Sequence, residues 1–457
     1  MKSIRGRALL SVICLILAAG CGTLPDPTTL LKKPSMQSKQ QAMHQAVTQF
    51  LPQEAKLIVP SGPADISALQ EKDLDGDGQQ EIIAFYQKET FDYESYAMIL
   101  KKKKGGWTLL TTIGGVGKKV NYADFRDLNG DGTPEFLFGL GDDESTQREL
   151  EVYTLKNGVT KNLMSRPYTE LAVDDLDRDR KSEIILLIHD REKMKARAEL
   201  YTFQSGRLRQ TDTLAMEGGI NGYLQVTTGR ARQKQRGVFL DIGVGAHSSY
   251  TALLILEKGK LKNVFAPDRP EGTERITFRA TGELSRDING DGIVEVPLLQ
   301  QPKGTDHLPL SEVPWITSWY QWDGGKKLNR LFQNYIDYRA GFSFRFPESW
   351  SDHVSIRRKE SEGKGSVRFD FIGDNRRTTL LTIRYIPKTQ WEERENDPQS
   401  QKGKGVLLKE KGGQVFLAEF PQEEPRLSSR VLQEYQKRRV TREEVKQRFS
   451  IVVSPTP

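Results

Sequence analysis

Cysteine is nearly missing. The 457 residues contain two, Cys14 and Cys21. The first lies in an apolar leader and the second directly after it, so no intrachain disulfide is expected. Stability must then come from packing and from bound metal. Histidine is also scarce: His44, His189, His247, His307 and His353 are well separated, and none has a metal partner at helical or strand spacing. "GVGAHSSY" (243–250) sets His247 beside Ser248 and Ser249, but a nucleophile takes its base from across space and needs an orienting acid. The segment reads as a loop joining two strands. No phosphate loop is present either. "GGVGKK" (114–119) lacks the first glycine and the Ser/Thr after lysine, and it reads as a turn between repeats. Long apolar runs are absent too; "ALLSVICLILAAG" (8–20) is too short to span a bilayer comfortably.

What that short run does resemble is a targeting segment. Lys2, Arg5 and Arg7 precede it, and it ends in "LAAGC". A small-small-Cys ending resembles the bacterial lipobox, which implies cleavage after residue 20 and lipidation of Cys21. The expected location is the extracytoplasmic side of a cell membrane, held by acyl chains. Residues 21–37 read as a tether rich in Pro, Thr, Lys and Ser. Net charge is +7, but 331–457 alone holds 24 basic and 18 acidic groups; removing that +6 and the leader's +3 leaves −2 for 21–330. The export signal argues against nucleic acid as partner. "KKKK" (101–104) is placed at a hairpin tip as solvated lysines, with contact to anionic lipid or wall polymer as the alternative.

Then come repeats. "DLDGDGQQE" starts at Asp73, "DLNGDGTPE" at Asp127, "DLDRDRKSE" at Asp175 and "DINGDGIVE" at Asp287. The last interval is about twice the others, which predicts a hidden copy at Thr228, in "TTGRARQKQ", with its carboxylates lost. Hairpin glycines agree: Gly158, Gly206 and Gly259 each fall 31 residues after a repeat start at 127, 175 or 228. Each unit reads as four strands. One precedes the loop ("YADF", "LAV", "LQV", "FRATGEL"), a nearly continuous apolar one follows it, and a hairpin supplies two more. The expected fold class is mainly β: a β-propeller of about five four-stranded blades over 55–330, followed by a small α+β domain over 331–457. A helix at 38–54 precedes them, with Ala42, Ala46, Phe50 and Leu51 on one face.

The acidic loops suit a hard cation. Calcium takes 6–8 oxygens at about 2.3–2.6 Å, and alternate residues of a tight loop can face one centre. The candidate ligands are Asp73, Asp75, Asp77, Gln79 and Glu81; Asp127, Asn129, Asp131, Thr133 and Glu135; and Asp287, Asn289, Asp291, Ile293 and Glu295. The residue at position 7 would give its main-chain carbonyl, and the glutamate at position 9 would close the shell. Asp175, Asp177, Asp179 and Glu183 form a fourth set, in which Arg178 and Arg180 replace the turn glycines. Holding a non-glycine residue left-handed costs about 1–2 kcal/mol, and these arginines could neutralise the acids internally. The copy at Thr228 should bind no ion. Position 12 holds Ala84, Phe138 and Leu298 rather than the glutamate of an EF-hand. D-x-[DN]-x-D-G-x-x-E entering a strand resembles the calcium loops of FG-GAP or VCBS repeats, as in integrin α-subunit propellers. The resemblance implies Ca²⁺ at about three sites, with the Asp175 loop as a fourth, each lodged between the first two strands of a blade.

Trp315, Trp319, Tyr320 and Trp322 could stack on sugars, but Tyr320 and Trp322 align with Tyr153/Leu155 and Tyr201/Phe203 of other repeats, which favours core. The insertion "QPKGTDHLPLSEVP" (301–314) lengthens the last repeat and is a candidate binding loop, with a spacer as the plain alternative. Gly341, Phe342, Phe344, Phe346, Pro347 and Trp350 resemble the start of PsbP-like domains. "TREE" (441–444) is a capping-box pattern opening the last helix. The functional expectation is a non-enzymatic binding or assembly module with a protein or cell-wall polymer partner. The alternative is an envelope enzyme, a hydrolase or lyase on glycan or phosphate esters, with its site on one propeller face.

Overall fold

The computed structural model describes residues 38–88, 94–116, 119–141, 148–156, 158–266, 275–361, 363–373, 376–396, 405–423 and 425–452. The leader, Cys14, Cys21 and the tether lie outside them. Contacts divide the chain into two units, residues up to Asp73 with Asp77–Val120, and Leu74–Gly76 with Asn121 onward. Among the described residues no helix is long and apolar enough to cross a membrane.

The first unit holds helix α1 (Ser38–Thr48) and an antiparallel sheet of β1 (Ala55–Leu57), β2 (Leu69–Lys72), β3 (Glu81–Lys88), β4 (Glu94–Lys103) and β5 (Gly106–Val116). The two short strands share one edge of β3, with Leu57 opposite Tyr86 and Leu69 opposite Ala84. The helix ends at Thr48, and Ala42 is exposed; its apolar face is Met43, Ala46 and Val47, packed with Ile82, Ala84 and Met98. Val47 follows Met43 and Ala46 at i+4 and i+1, so these three cluster on the side that meets the sheet. Gly114–Val116 of "GGVGKK" belong to β5.

In the second unit three sheets follow in chain order. The first is β6 (Lys119–Arg126), β7 (Glu135–Gly141), β8 (Arg148–Lys156) and β9 (Val159–Tyr168). The next is β10 (Glu170–Asp174), β11 (Glu183–Asp190), β12 (Lys195–Gln204) and β13 (Arg207–Glu217). The third is β14 (Gly222–Arg232), β15 (Gln235–Val244), β16 (Ser248–Glu257) and β17 (Lys260–Asn263). Strand two of the Asp73, Asp127 and Asp175 repeats is buried almost throughout, as its apolar run requires. The hairpins at Ser205-Gly206 and Lys258-Gly259 have positive φ at both central residues, the turn whose twist matches the flanking strands. The hidden copy has no loop. Thr228, Gly229 and Arg230 pair with Val238, Gly237 and Arg236 inside the β14–β15 hairpin.

The last repeat departs from expectation. "FRATGEL" (278–284) is not a strand; the segment meets its neighbours only through isolated bridges, Arg279 with Ser249 and Arg286 with Glu295. Side-chain bonds explain this. Arg279 and Asp241 form a fully buried ion pair at 2.7 Å. Arg279 also donates to Thr251 Oγ1 (2.8 Å) and to the Glu283 carbonyl (2.6 Å), and Ser285 donates to Asp241 from both its main-chain N–H and its hydroxyl. Pulling Arg279 inward sacrifices the pleat that a ladder needs.

The fifth sheet is β18 (Val296–Gln300), β19 (Ile316–Trp322), β20 (Leu328–Asp337), β21 (Phe342–Arg345) and β27 (Phe449–Ile451). β20 runs across residue 331, so the expected domain boundary falls inside a strand. A sixth sheet has the order β22 (Val354–Ser361), β23 (Lys364–Gly373), β24 (Arg376–Pro387), β26 (Gln414–Glu419) and β25 (Val406–Lys411). Helices α2 (Lys388–Asn396), α3 (Ser429–Gln436) and α4 (Arg442–Arg448) accompany it. Its core is aromatic: Phe344, Trp350 and Phe369 lie 5.2–5.6 Å apart between ring centres. Thr441 and Glu444 make the reciprocal cap of α4.

Removing one partner of a buried ion pair strands a charge and costs about 3–5 kcal/mol. Asp241→Ala is therefore expected to lower stability by that amount in denaturant titration. The paired change Asp241→Leu with Arg279→Met should recover only part of it, because Ser285 and Thr251 lose their acceptor.

Candidate metal centres

Each acidic loop ends on a glutamate at its ninth residue, which opens the second strand in three loops and lies one residue before β18 in the Asp287 loop. That glutamate is buried in all four: Glu81, Glu135 and Glu295 are fully buried and Glu183 nearly so. In three loops the visible reason is a main-chain bond. The N–H of the second residue donates to the glutamate: Leu128 to Glu135 (2.9 Å), Leu176 to Glu183 (2.8 Å) and Ile288 to Glu295 (2.9 Å). The first aspartate turns the chain by accepting from residue six, as Gly78, Gly132, Arg180 and Gly292 donate to Asp73, Asp127, Asp175 and Asp287. The fifth accepts from residue seven, so the N–H groups of Gln79, Thr133, Lys181 and Ile293 face the loop.

The left-handed turns persist even where glycine does not. Arg178 and Arg180 have φ of 67° and 73°, beside 79° at both Gly290 and Gly292. Two residues at roughly 1–2 kcal/mol each are thus held in this form by the rest of the loop. The arginines do not neutralise the acids as expected. Arg178 reaches the Gln233 carbonyl at 3.4 Å, and the cation beside Asp179 is Lys181, at 3.9 Å.

Three loops bring acidic oxygens within 4.8 Å of one another: Asp73, Asp75 and Glu81; Asp175, Asp177 and Glu183; and Asp287, Asp291 and Glu295. The Asp127 loop is not among them. Its Asn129 amide donates to Glu135 (2.6 Å), and its Asp131 is drawn toward Lys156 (2.9 Å). Burial opposes ionisation of Asp131, but the Thr133 hydroxyl and Lys156 hold its pKa at about 2. The donors are all oxygen, and Asp175 Oδ1 is buried with no hydrogen-bond partner. Such a set fits a hard cation such as Ca²⁺.

Counter-charges distinguish the loops, and the loop sequences do not contain them. Lys101 is 15% exposed and lies 2.8 Å from Asp77 and 3.5 Å from Glu81, so it is not the solvated hairpin lysine expected. Gln321 donates to both Asp291 (2.9 Å) and Glu295 (2.7 Å). In the Asp175 loop the third strand offers Thr202, beside Tyr201, which pairs with Ile184. Burial, with Asp177, Asp179 and Asp175 nearby, pushes Glu183 up to about 7 despite the Leu176 N–H. Burial likewise raises Glu135 and Glu295. Strand three is where a sequence search should look, because its residue one step beyond the pair of strand two's first apolar residue sits beside the glutamate.

Neighbouring repeats touch at the loops, once loop to loop and once loop to β14. The Ser182 N–H donates to the Asp127 carbonyl (3.0 Å) and the Val294 N–H to the Arg230 carbonyl (2.9 Å). Arg230 also donates to the carbonyls of Asp291 and Gly292. A Cβ on Gly292 would meet that guanidinium. Four of the other sequence candidates sit in the core or in a turn, and Trp315 and Tyr320 are half-buried. Trp319 and Trp322 are buried, His247 sits in the β15–β16 turn, and His189 is buried with its ring nitrogen 3.0 Å from the Gly218 carbonyl.

No protein-family model and no curated protein matches the chain. Solved structures are similar at low score. An exotype rhamnogalacturonan lyase, YesX, matches at 15% identity and TM-score 0.28, over 69% of this chain and 61% of the lyase, less than two thirds of its length. The β-propeller domain of the Trilobed protease from Pyrococcus furiosus, which has an open velcro topology, matches at 11% and 0.27, over 71% of this chain and 94% of that domain. TolB from Acinetobacter baumannii matches at 8% and 0.25, over 62% and 58%.

In cation-free protein Glu183 titrates higher folded (about 7) than at its ordinary 4.5. Its neutral form favours the fold below pH 4.5, and that contribution is lost as pH rises through about 7. Melting temperature after chelation should therefore fall across this window, and Glu183→Gln should remove part of the slope.

Proposed function

We propose that the chain is a lipid-anchored, extracytoplasmic binding or assembly module built on a calcium-stabilised β-propeller of FG-GAP/VCBS type. The observation that carries this is the recurrence of one oxygen-lined loop in one register of successive four-stranded antiparallel sheets. Backbone bonds between neighbouring repeats support a blade-like succession. The cations are structural: they compensate carboxylates that would otherwise repel one another, by about 4 kcal/mol for two charges 4 Å apart at an effective dielectric of 20. They stand where other exported proteins use disulfides. The buried aromatic run from Phe342 to Trp350 supports a PsbP-like reading of the C-terminal part, whose β21 pairs with β20 of the last repeat. A protein or wall polymer is the proposed partner, reached through loops on rigid sheets.

Extracellular calcium modules bind at about 10⁻⁴–10⁻³ M. At 10 mM calcium each occupied site should add roughly 1.4–2.7 kcal/mol by mass action. Differential scanning calorimetry with calcium and with chelator measures this; superimposable melts would sink the structural-ion reading. For the anchor, Cys21→Ser should move the protein from the membrane fraction to the soluble one and abolish incorporation of labelled fatty acid. Retention of both would refute lipidation at that residue.

A further inference from the structure

The insertion at 301–314 folds into turns against β22 and β24, and together they enclose a cleft of about 510 Å³. Arg339, Arg357, Arg358 and Arg377 line it, against two carboxylates, Glu312 and Glu360. Three of these arginines are fixed from behind. Arg357 Nε donates to the buried Asp370 at 2.5 Å. Arg377 Nη2 donates to the carbonyls of Gly304 (2.6 Å) and Lys303 (3.3 Å). Arg358 bonds the Tyr335 hydroxyl, which itself donates to Asp337 at 2.9 Å. A guanidinium carries five N–H donors, so each anchored arginine keeps some for a ligand while its orientation is set in advance. Arg339 is 65% exposed and meets Glu360 at 3.8 Å, and Arg358 meets the same carboxylate at 4.0 Å. Both distances exceed hydrogen-bond length, so the one acid between them leaves their donors available.

We propose that this cleft binds a phosphate or carboxylate oxyanion carried on a saccharide. Arginine forks match the planar, bidentate geometry of either group. A bare oxyanion would leave most of the volume unfilled, since clefts of this size hold whole small molecules. The remaining wall sets Leu308 and Pro314 beside Ser311 and His307. Apolar faces next to hydroxyl-matching groups are what a sugar ring requires. The insertion is thereby given work beyond spacing, and the proposal deepens the binding-module reading on which it rests by naming a ligand class.

Isothermal titration of the full chain at physiological ionic strength with glucose 6-phosphate, glucuronate and glucose tests it. At least one of the two acidic sugars should saturate at one site, with glucose silent, and which one saturates identifies the oxyanion. The double variant Arg339→Gln/Arg377→Gln should weaken binding at least tenfold while melting like the parent, and Arg339→Gln alone by about threefold should the pair unfold the insertion. The control Lys102→Gln/Lys103→Gln, at the β4–β5 hairpin, should change nothing. Equal binding by the arginine variants, equal loss in the lysine control, or no saturation by either acidic sugar would overturn the proposal. A calcium series of melts is run separately, so failure of the structural-ion reading shows there and failure of the cleft shows only in the titration.

Discussion

One buried carboxylate at the root of each acidic loop constrains everything around it. Glu135 and Glu183 open strands in the interior and Glu295 lies buried one residue before β18, and each accepts an N–H from the residue that follows the first aspartate. That bond closes the nonapeptide into a ring. It sets where strand one stops and strand two begins, and so the register of the sheet. The glutamate's side chain faces the loop while the following residues alternate into two apolar layers. An apolar residue there would leave that main-chain N–H without its acceptor in a buried place.

That arrangement concentrates negative charge, and the loops meet the problem differently. In the Asp73 loop Lys101 answers it, and in the Asp127 loop Lys156 does. Both are internal cations, with which a metal must compete. The Asp287 loop uses the neutral Gln321. Among the described residues the Asp175 loop has the more distant Lys181, and it holds the orphaned oxygen of Asp175 and the most strongly raised of the loop glutamates. By electrostatics it is the loop with most to gain from a divalent ion, although its two arginines make it the poorest match to the motif.

Much of this was legible in the residues. The repeat interval, the silent copy at Thr228, the hairpin glycines and the apolar second strands follow from spacing and period, because local chain geometry imposes both. The sheet at 354–419 and the cap at Thr441 were likewise readable, as pattern and cap chemistry are local. What escaped was non-local. Nothing near Arg279 announces Asp241, 38 positions earlier, as its partner, so a stretch with strand composition was read as a strand. Lys101 looks like any member of a lysine run until β4 is laid beside β3. Arginine in a left-handed turn contradicts local preference and is explained only by the bonds that surround it.

The pairing of β21 with β27 carries a consequence for how such a chain matures. Phe342–Phe344 find their outer neighbours in Phe449–Ile451, more than a hundred positions downstream. A polypeptide emerging amino-end first would present that flank of the fifth sheet naked until the distal segment arrived. Such a flank is a template for promiscuous strand addition. Maturation would then favour some escort that shields it during the delay, and clipping near residue 449 would reopen it in the finished molecule.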